Sequence, residues 1–255
     1  MRLIDIHAHL TFKSFKNDLD QVLERARKNG VVAIIDSGID PEDSLKALDL
    51  RRSYPSMIFV SIGLAPQMAD ELKFNKTIEL LEKVRGSYVA VGEIGLDYYW
   101  VKDPKRRQAC KRYFSTLLSF AINNDLPVVI HNREATKDVI GILNDYGAER
   151  VVFHAFMGNA EEALEIIKRG WYISIPTIIA RSDRHQRLVK KVPLENLMLE
   201  TDSPFLSPTP RSRNEPANVR VSAEIIAKIK QLSLERLCER LYENTVNFFS
   251  LNLPS

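Results

Sequence analysis

The stretch DLDQVLERARKNGVVAIIDSGIDPED, residues 18–43, decides how this chain is read. Over 18–29 the apolar residues Leu19, Val22, Leu23 and Ala26 recur at helical spacing, which predicts one amphipathic helix. Gly30 follows where a helix C-cap is needed. Val31-Val32-Ala33-Ile34-Ile35 is then a continuous apolar run, the pattern of a parallel strand covered on both faces. Asp40 and Pro41 supply an N-cap and a first helical residue for the next helix, which carries Leu45, Leu48 and Leu50. Helix, glycine, buried strand and capped helix make one step of a βα repeat.

The same step recurs in both directions. An apolar run at 3–6 precedes it. After it come strand-like runs at 57–62, 88–93, 127–131, 151–154, 171–175 and 196–202. Helical segments follow at 70–84, 104–124, 135–146, 160–169, 183–191 and 216–231, and a further amphipathic helix at 234–249 closes the chain. Eight strand-like runs, each followed by a helix, predict an α/β fold: a (β/α)8 TIM-type barrel with an extra C-terminal helix, as a single domain over 1–255. The alternative, an open doubly wound sheet, usually needs a glycine-rich turn after its first strand, and Ala8-His9-Leu10-Thr11 is not one.

Composition narrows the class. The chain has 255 residues, 45% apolar and 27% charged, with net charge +3. That is ordinary globular composition, too mildly basic to imply nucleic acid by itself. Cys110 and Cys238 lie far apart in polar contexts, with neither metal spacing nor a disulfide framework. A reducing, cytoplasmic compartment is expected. The first strand starts directly after Met1-Arg2, leaving no room for a leader. The longest uncharged run, 53–69, contains Pro55, Gly63, Pro66 and Gln67, so no membrane helix is expected.

The chemistry lies at the strand ends. In a barrel, functional groups come from the C-terminal ends of several strands. Strand one ends in His7 and His9, whose i, i+2 spacing puts both on one face. Strand four ends in Glu93, strand five in His131, strand six in His154 and strand eight in Asp202. Any one of these is more often an incidental polar residue; six at one rim are not. Burying them unpartnered would cost several kcal/mol in total. Two divalent cations would offset that cost, with Glu93 bridging them and a shared water brought toward neutral pKa. Zn, Mg or Mn all suit such a mixed imidazole and carboxylate set.

These residues sit in motifs that carry a resemblance. DIHAHL at 5–10, GEIGLDYY at 92–99, VVIHNREA at 128–135, VFHAFMGN at 152–159, LETDSPFL at 199–206 and RNEPANV at 213–219 follow one another in order. The chain resembles the TatD-like metal-dependent deoxyribonucleases of the amidohydrolase superfamily. The resemblance implies a TIM-type barrel with His7, His9, Glu93 and Asp202 around one metal, and Glu93, His131 and His154 around the other. It also implies DNA as substrate. Two departures stand out. The family commonly has Gly-x-His-Pro after strand three, and here Ala65 takes the histidine's place. The family's His-Cys-Phe-Ser-Gly is here His154-Ala155-Phe156-Met157-Gly158.

The expected reaction is hydrolysis of DNA phosphodiester bonds, as an exonuclease, through a metal-activated water. Glu93 and Asp202 are the expected catalytic residues, Asp202 taking the nucleophile's proton. Arg133, Arg213, Asn214 and Glu215 are the expected substrate contacts. Tyr98, Tyr99 and Trp100 either stack a base or cover the rim. Asp97 orients ligands, Glu200 braces strand eight, and His185 sits on a solvated helix face with the arginines around it. A monomer is expected. Hydrolysis of an amide or carboxylic ester, such as aminoacyl-tRNA deacylation, is the competing enzyme reading. Binding without turnover is the non-enzymatic one.

Overall fold

The computed structural model describes residues 1–253. Among them eight strands form one parallel sheet in chain order: β1 Leu3–Ala8, β2 Val31–Gly38, β3 Ile58–Ile62, β4 Ala90–Asp97, β5 Val128–Arg133, β6 Val151–Phe153, β7 Tyr172–Ile175 and β8 Leu197–Leu199. A helix follows each: α1 Leu19–Lys28, α2 Pro41–Ser53, α3 Glu71–Lys83, α4 Pro104–Asn123, α5 Thr136–Asp145, α6 Ala160–Ile167, α7 Asp183–Lys191 and α8 Val219–Lys230. The last element is α9, Leu234–Phe249. This is the expected (β/α)8 barrel with its extra C-terminal helix. The sheet closes just beyond β8: the His9 N–H donates to Ser203 O at 2.8 Å, and the Asp202 N–H to His7 O at 2.9 Å. Barrel closure and candidate ligands therefore share the same backbone.

The local signals act as read. Gly30 ends α1 at φ 85°. The Asp40 carboxylate accepts from the Asp43 N–H at 3.0 Å and caps α2, with Pro41 at its first position. Among the described residues no helix is long and apolar enough to cross a membrane. Cys110 and Cys238 are free, and both are buried rather than in polar surroundings.

Alternation along the strands sorts the interior into layers. Ile4, Ile6, Ala33, Ile35, Phe59, Ala90, Val129, Val152 and Met198 point inside the barrel as one apolar core. Phe248 and Phe249, at the end of α9, join this core and plug one end of it. The residues between them in sequence, such as Leu3, Ile34, Ile58, Val60, Val91, Val128, Ile130, Val151 and Phe153, face the helices in a second core. Two steps past the inward apolar residues stand Ser37, Ser61, His131, His154, Ser174 and Glu200, all on the same parity. Polar groups thus fill one mouth of the barrel because the period of two continues.

Two functional residues break that period. On β1, Ile4 and Ile6 point in, so a regular strand would turn His7 out. A register shift between Asp5 and Ala8 against β2 reverses the parity. On β4, Ala90 points in and Ile94 packs outside. Gly92 pairs Val129 and Ile94 pairs Ile130, so Glu93 is the extra residue of a bulge. β4 then runs on to Asp97, so Glu93 lies within the strand rather than at its end.

Candidate metal centre

Six side chains from five strands and the segments just beyond them converge at this mouth. His7 Nε2 and His9 Nε2 face each other at 3.2 Å. Glu93 Oε2 lies 3.2 Å from His7 Nε2 and 3.1 Å from His154 Nε2. Glu93 Oε1 lies 3.6 Å from His131 Nδ1, which is 3.2 Å from His154 Nε2. Asp202 Oδ1 lies 3.4 Å from His9 Nε2 and 3.8 Å from His7 Nε2. Donor atoms within 4.8 Å of one another make three groups: His7, His9 and Glu93; Glu93, His131 and His154; and His7, His154 and Asp202. Glu93 belongs to two of them.

The outer nitrogens fix what the inner ones offer. The Ser37 carbonyl can only accept, so His9 Nδ1 donates to it at 2.9 Å. Asp97 Oδ2 lies 2.9 Å from His131 Nε2. Burial raises Asp97, but the His131 ring and the Trp100 N–H outweigh it and hold its carboxyl below the usual range. It is therefore an acceptor, and His131 Nε2 carries the hydrogen. In the neutral rings, His9 Nε2 and His131 Nδ1 are then lone pairs aimed at one another's neighbours and at carboxylates. With both rings neutral, such a set has no hydrogen at either nitrogen for the carboxylate beside it. It fits divalent cations, and both imidazole and carboxylate are suitable ligands for them.

The electrostatics agree. Burial, together with the nearby His154 ring at 4.0 Å centroid separation, pushes His7 down to about 3, so its ring stays neutral. Burial opposes charge on His9 too, but the Asp202 carboxylate outweighs it and takes that ring up to about 9. The site draws positive charge to the inner nitrogen of His9, as a proton or as a cation. Burial raises Glu93 as well, yet the His154 and His131 rings hold it well below the ordinary carboxylate range. Asp202 is held low against burial by His9.

The backbone around the site is strained. Glu134, Ala155 and Asp202 have φ of 56°, 41° and 54°, in the left-handed region that non-glycine residues seldom adopt. Each lies at or beside a candidate functional residue, where strain is commonly held by surrounding structure.

Several supporting residues stand behind the candidate ligands. Ser37 serves two rings: its carbonyl accepts from His9, and its hydroxyl lies 3.1 Å from His7 Nδ1. The Ser61 hydroxyl donates to Ser37 Oγ at 3.0 Å. Asp5 accepts from the Thr201 N–H at 2.8 Å and from its hydroxyl at 2.5 Å, tying β1 to the segment after β8. Glu200 accepts from the Ser174 hydroxyl at 2.6 Å, which braces strand eight as expected. Its other oxygen lies 4.0 Å from His154 Nδ1. Single serines inside apolar runs give no signal in sequence. Asp5 did give one, as a charge in mid-strand.

Asp97 offers a direct check on ring orientation. Asp97→Asn keeps an acceptor for the Trp100 N–H, now at 2.8 Å, but weakens the partner of His131. We expect metal affinity to fall about 10–100-fold with the fold retained, measured by metal titration and a thermal melt.

The expected substrate residues divide. Arg133 lines a groove of about 460 Å³ beside His131, His154 and Asp202. Its guanidinium stacks on the Tyr99 ring at 3.8 Å. Arg213 instead pairs with Asp18 at 2.6 Å and covers the Phe15 ring. Asn214 is fully buried and donates to Thr177 Oγ1 and Thr201 O, each at 2.8 Å. Glu215 pairs with Arg25 at 2.7 Å. These three fasten the loop after β8 to its surroundings. His185 is not on a solvated face: it is buried, with Nδ1 2.7 Å from Ser182 Oγ. Burial lowers its pKa to about 4. Arg184, beside it, lines the groove.

Comparison with known proteins agrees with the geometry. Residues 4–250 match the family model described as TatD related DNase. YabD of Bacillus subtilis, described as an uncharacterised metal-dependent hydrolase, is 38% identical over 98% of this chain and 100% of its own length. Human deoxyribonuclease TATDN3 is 34% identical over 97% of this chain and 94% of its own. The crystal structure of YJJV, a TatD homologue from Escherichia coli K12, matches at TM-score 0.90 and 26% identity, over 98% of this chain and 99% of that one. The chain belongs to the TatD-related DNase family of metal-dependent hydrolases.

Proposed function

We propose that this protein is a metal-dependent deoxyribonuclease that removes nucleotides from a DNA end, with residues 1–255 acting as one catalytic domain. The observation that carries this reading is Glu93, one buried carboxylate set against imidazoles of both groups, with Oε2 beside His7 and His154 and Oε1 beside His131. His7, His9, Glu93 and Asp202 would hold one divalent cation. Glu93, His131 and His154 would hold the other. Zn, Mg and Mn are the candidate ions. When bound, they neutralise phosphoryl charge and lower the pKa of water.

The chain's own groups do the rest. Asp202 is held ionised and lies at the edge of the groove, where it can take the proton of an attacking water. Arg133 can clamp a nonbridging phosphate oxygen, its plane set by the Tyr99 ring beneath it. Arg184, on the same groove, adds a second cation. Arg213, Asn214 and Glu215 act on substrate through the loop they fasten. Ala65 is fully buried, so the side chain that departs from the family pattern adds no polar group to the mouth.

The test uses single-stranded and duplex DNA labelled at one end, with protein stripped by chelator and shown to be folded. Stripped protein should release no labelled nucleotide, and added Mn, Mg or Zn should restore release. Metal-independent cleavage of equal rate would contradict the reading. Aminoacyl esters and cyclic amides in the same panel test the competing carbonyl chemistry, which no feature of this site favours.

A further inference from the structure

Aromatic residues stand on both sides of the metal centre, and they are not equivalent. On the β4 side, Tyr99 is covered by Arg133 at 3.8 Å and approached by Lys102 at 5.2 Å. Tyr98 lies under Arg107 at 4.3 Å, with its hydroxyl bonded to Asp138. Trp100 beside them is 62% exposed, and the Arg133 guanidinium that covers Tyr99 lies 5.8 Å from its ring as well. On the β1 side, Phe12 stacks on His9 at 5.0 Å between centroids. Phe205 meets Phe12 edge-on at 5.8 Å and is 51% exposed. Its N–H donates to Asp202 O at 2.8 Å, so an exposed aromatic is held in place by the backbone of a candidate ligand.

Together with Pro204 these rings form the floor of a shallow depression of about 490 Å³. Lys13 and Lys46 edge it. Among the described residues neither has a carboxylate within 4.0 Å, whereas Arg25 and Arg213 nearby are both paired with one. Asp43 also borders the depression, but its carboxylate accepts from Thr11 Oγ1 and from the Ile39 N–H, at 3.2 Å for the latter. What the depression offers is an open aromatic face and two free ammonium groups, directly beside His9. A planar base joined to a phosphate matches that chemistry, since stacking suits any base and lysine takes the phosphate.

We propose that Phe12, Phe205 and Pro204, edged by Lys13 and Lys46, form a nucleotide subsite that stacks a base adjoining the scissile phosphodiester. This deepens the proposed function and rests on it. The chain of the substrate then crosses the mouth, with Arg133 and Arg184 on one side of the metals and this shelf on the other.

The test uses end-labelled single-stranded oligonucleotides carrying one abasic residue, moved stepwise through the terminal positions. Wild-type protein should lose about tenfold in kcat/KM at one position, the size of one base–aromatic stack. Phe205→Ala should lose about tenfold on intact DNA and nothing further at that abasic position. Phe12→Leu should behave similarly but less severely. Lys13→Ala with Lys46→Ala should flatten the salt dependence of kcat/KM. The proposal is overturned if Phe205→Ala, folded by thermal melt, stays within twofold of wild type on intact DNA. It is equally overturned if the variant still loses tenfold at the abasic position. If the wild type cleaves no DNA with any divalent ion, the underlying function fails as well, and that outcome appears before any variant is compared.

Discussion

Glu93→Gln should lower metal-stimulated DNA hydrolysis by at least about a thousandfold, beyond the 10–100-fold typical of residues that merely orient ligands. The substitution is nearly isosteric, and the reason is in the two oxygens. Oε2 faces His7 and His154, while Oε1 faces His131. An amide keeps one oxygen and replaces the other with an N–H donor, which has no lone pair for a cation. It also removes the negative charge that would separate two like-charged ions. The fold should survive. Glu93 is only 3% exposed, and a neutral amide of the same shape is less costly to bury than a carboxylate. The melting temperature of metal-free protein should therefore change by a few degrees at most, while turnover of end-labelled DNA collapses.

Gly95→Ala should do the reverse: destroy the site by breaking the barrel. Gly95 has φ +144°, and a Cβ there would lie 2.1 Å from His131 O and 3.0 Å from His131 C. Both atoms are backbone of the paired strand, where Gly95 lies opposite His131, so no rotamer change relieves the clash. Only separation of β4 from β5 would, and that parts Glu93 from His131. We expect more than about 4 kcal/mol of destabilisation. At this chain length that is a fall of roughly 10 °C or more in Tm, or failure to accumulate as soluble protein. Gly141→Ala is the control. Gly141 lies inside α5 with nothing within 4 Å of its added Cβ. There the same change should raise stability by about 0.5–1 kcal/mol, through helix propensity. Thermal melts of the two variants side by side check both signs.

The two glycines show where sequence stops being legible. Eight apolar runs with helical segments between them specify the barrel, because buried parallel strands and amphipathic helices have different periods. His131 and His154 are legible for a similar reason: each continues the inward parity of Val129 and Val152. His7 and Glu93 are not legible in that way. Each points inward because a register shift against the neighbouring strand reverses the parity, and such a shift depends on a partner distant in sequence. The i, i+2 spacing of His7 and His9 still brings their nitrogens together, since the reversal precedes both. Glu93 was visible as a charge in an apolar run, but its place in mid-strand was not.

Side-chain direction in loops is the other limit. Arg213, Asn214 and Glu215 lie in the segment after β8, close in sequence to Asp202. Their direction depends on Asp18, Thr177 and Arg25, which come from other units of the barrel. His185 sits among arginines in a polar helix, and only the packing of that helix shows it buried. Phe12 and Phe205 are separated by most of the chain and meet because the barrel closes between β8 and β1. Their pairing has no local signature.

The central claim is a site for two cations around one shared carboxylate. Its most direct test is metal content: chelator-stripped protein is reloaded with Mn or Zn, freed of excess ion, and counted for metal per chain. The wild type should hold two ions per chain and Glu93→Gln fewer, both remaining folded. A wild type that saturates at one ion, or a Glu93→Gln variant that still holds two, would contradict the account.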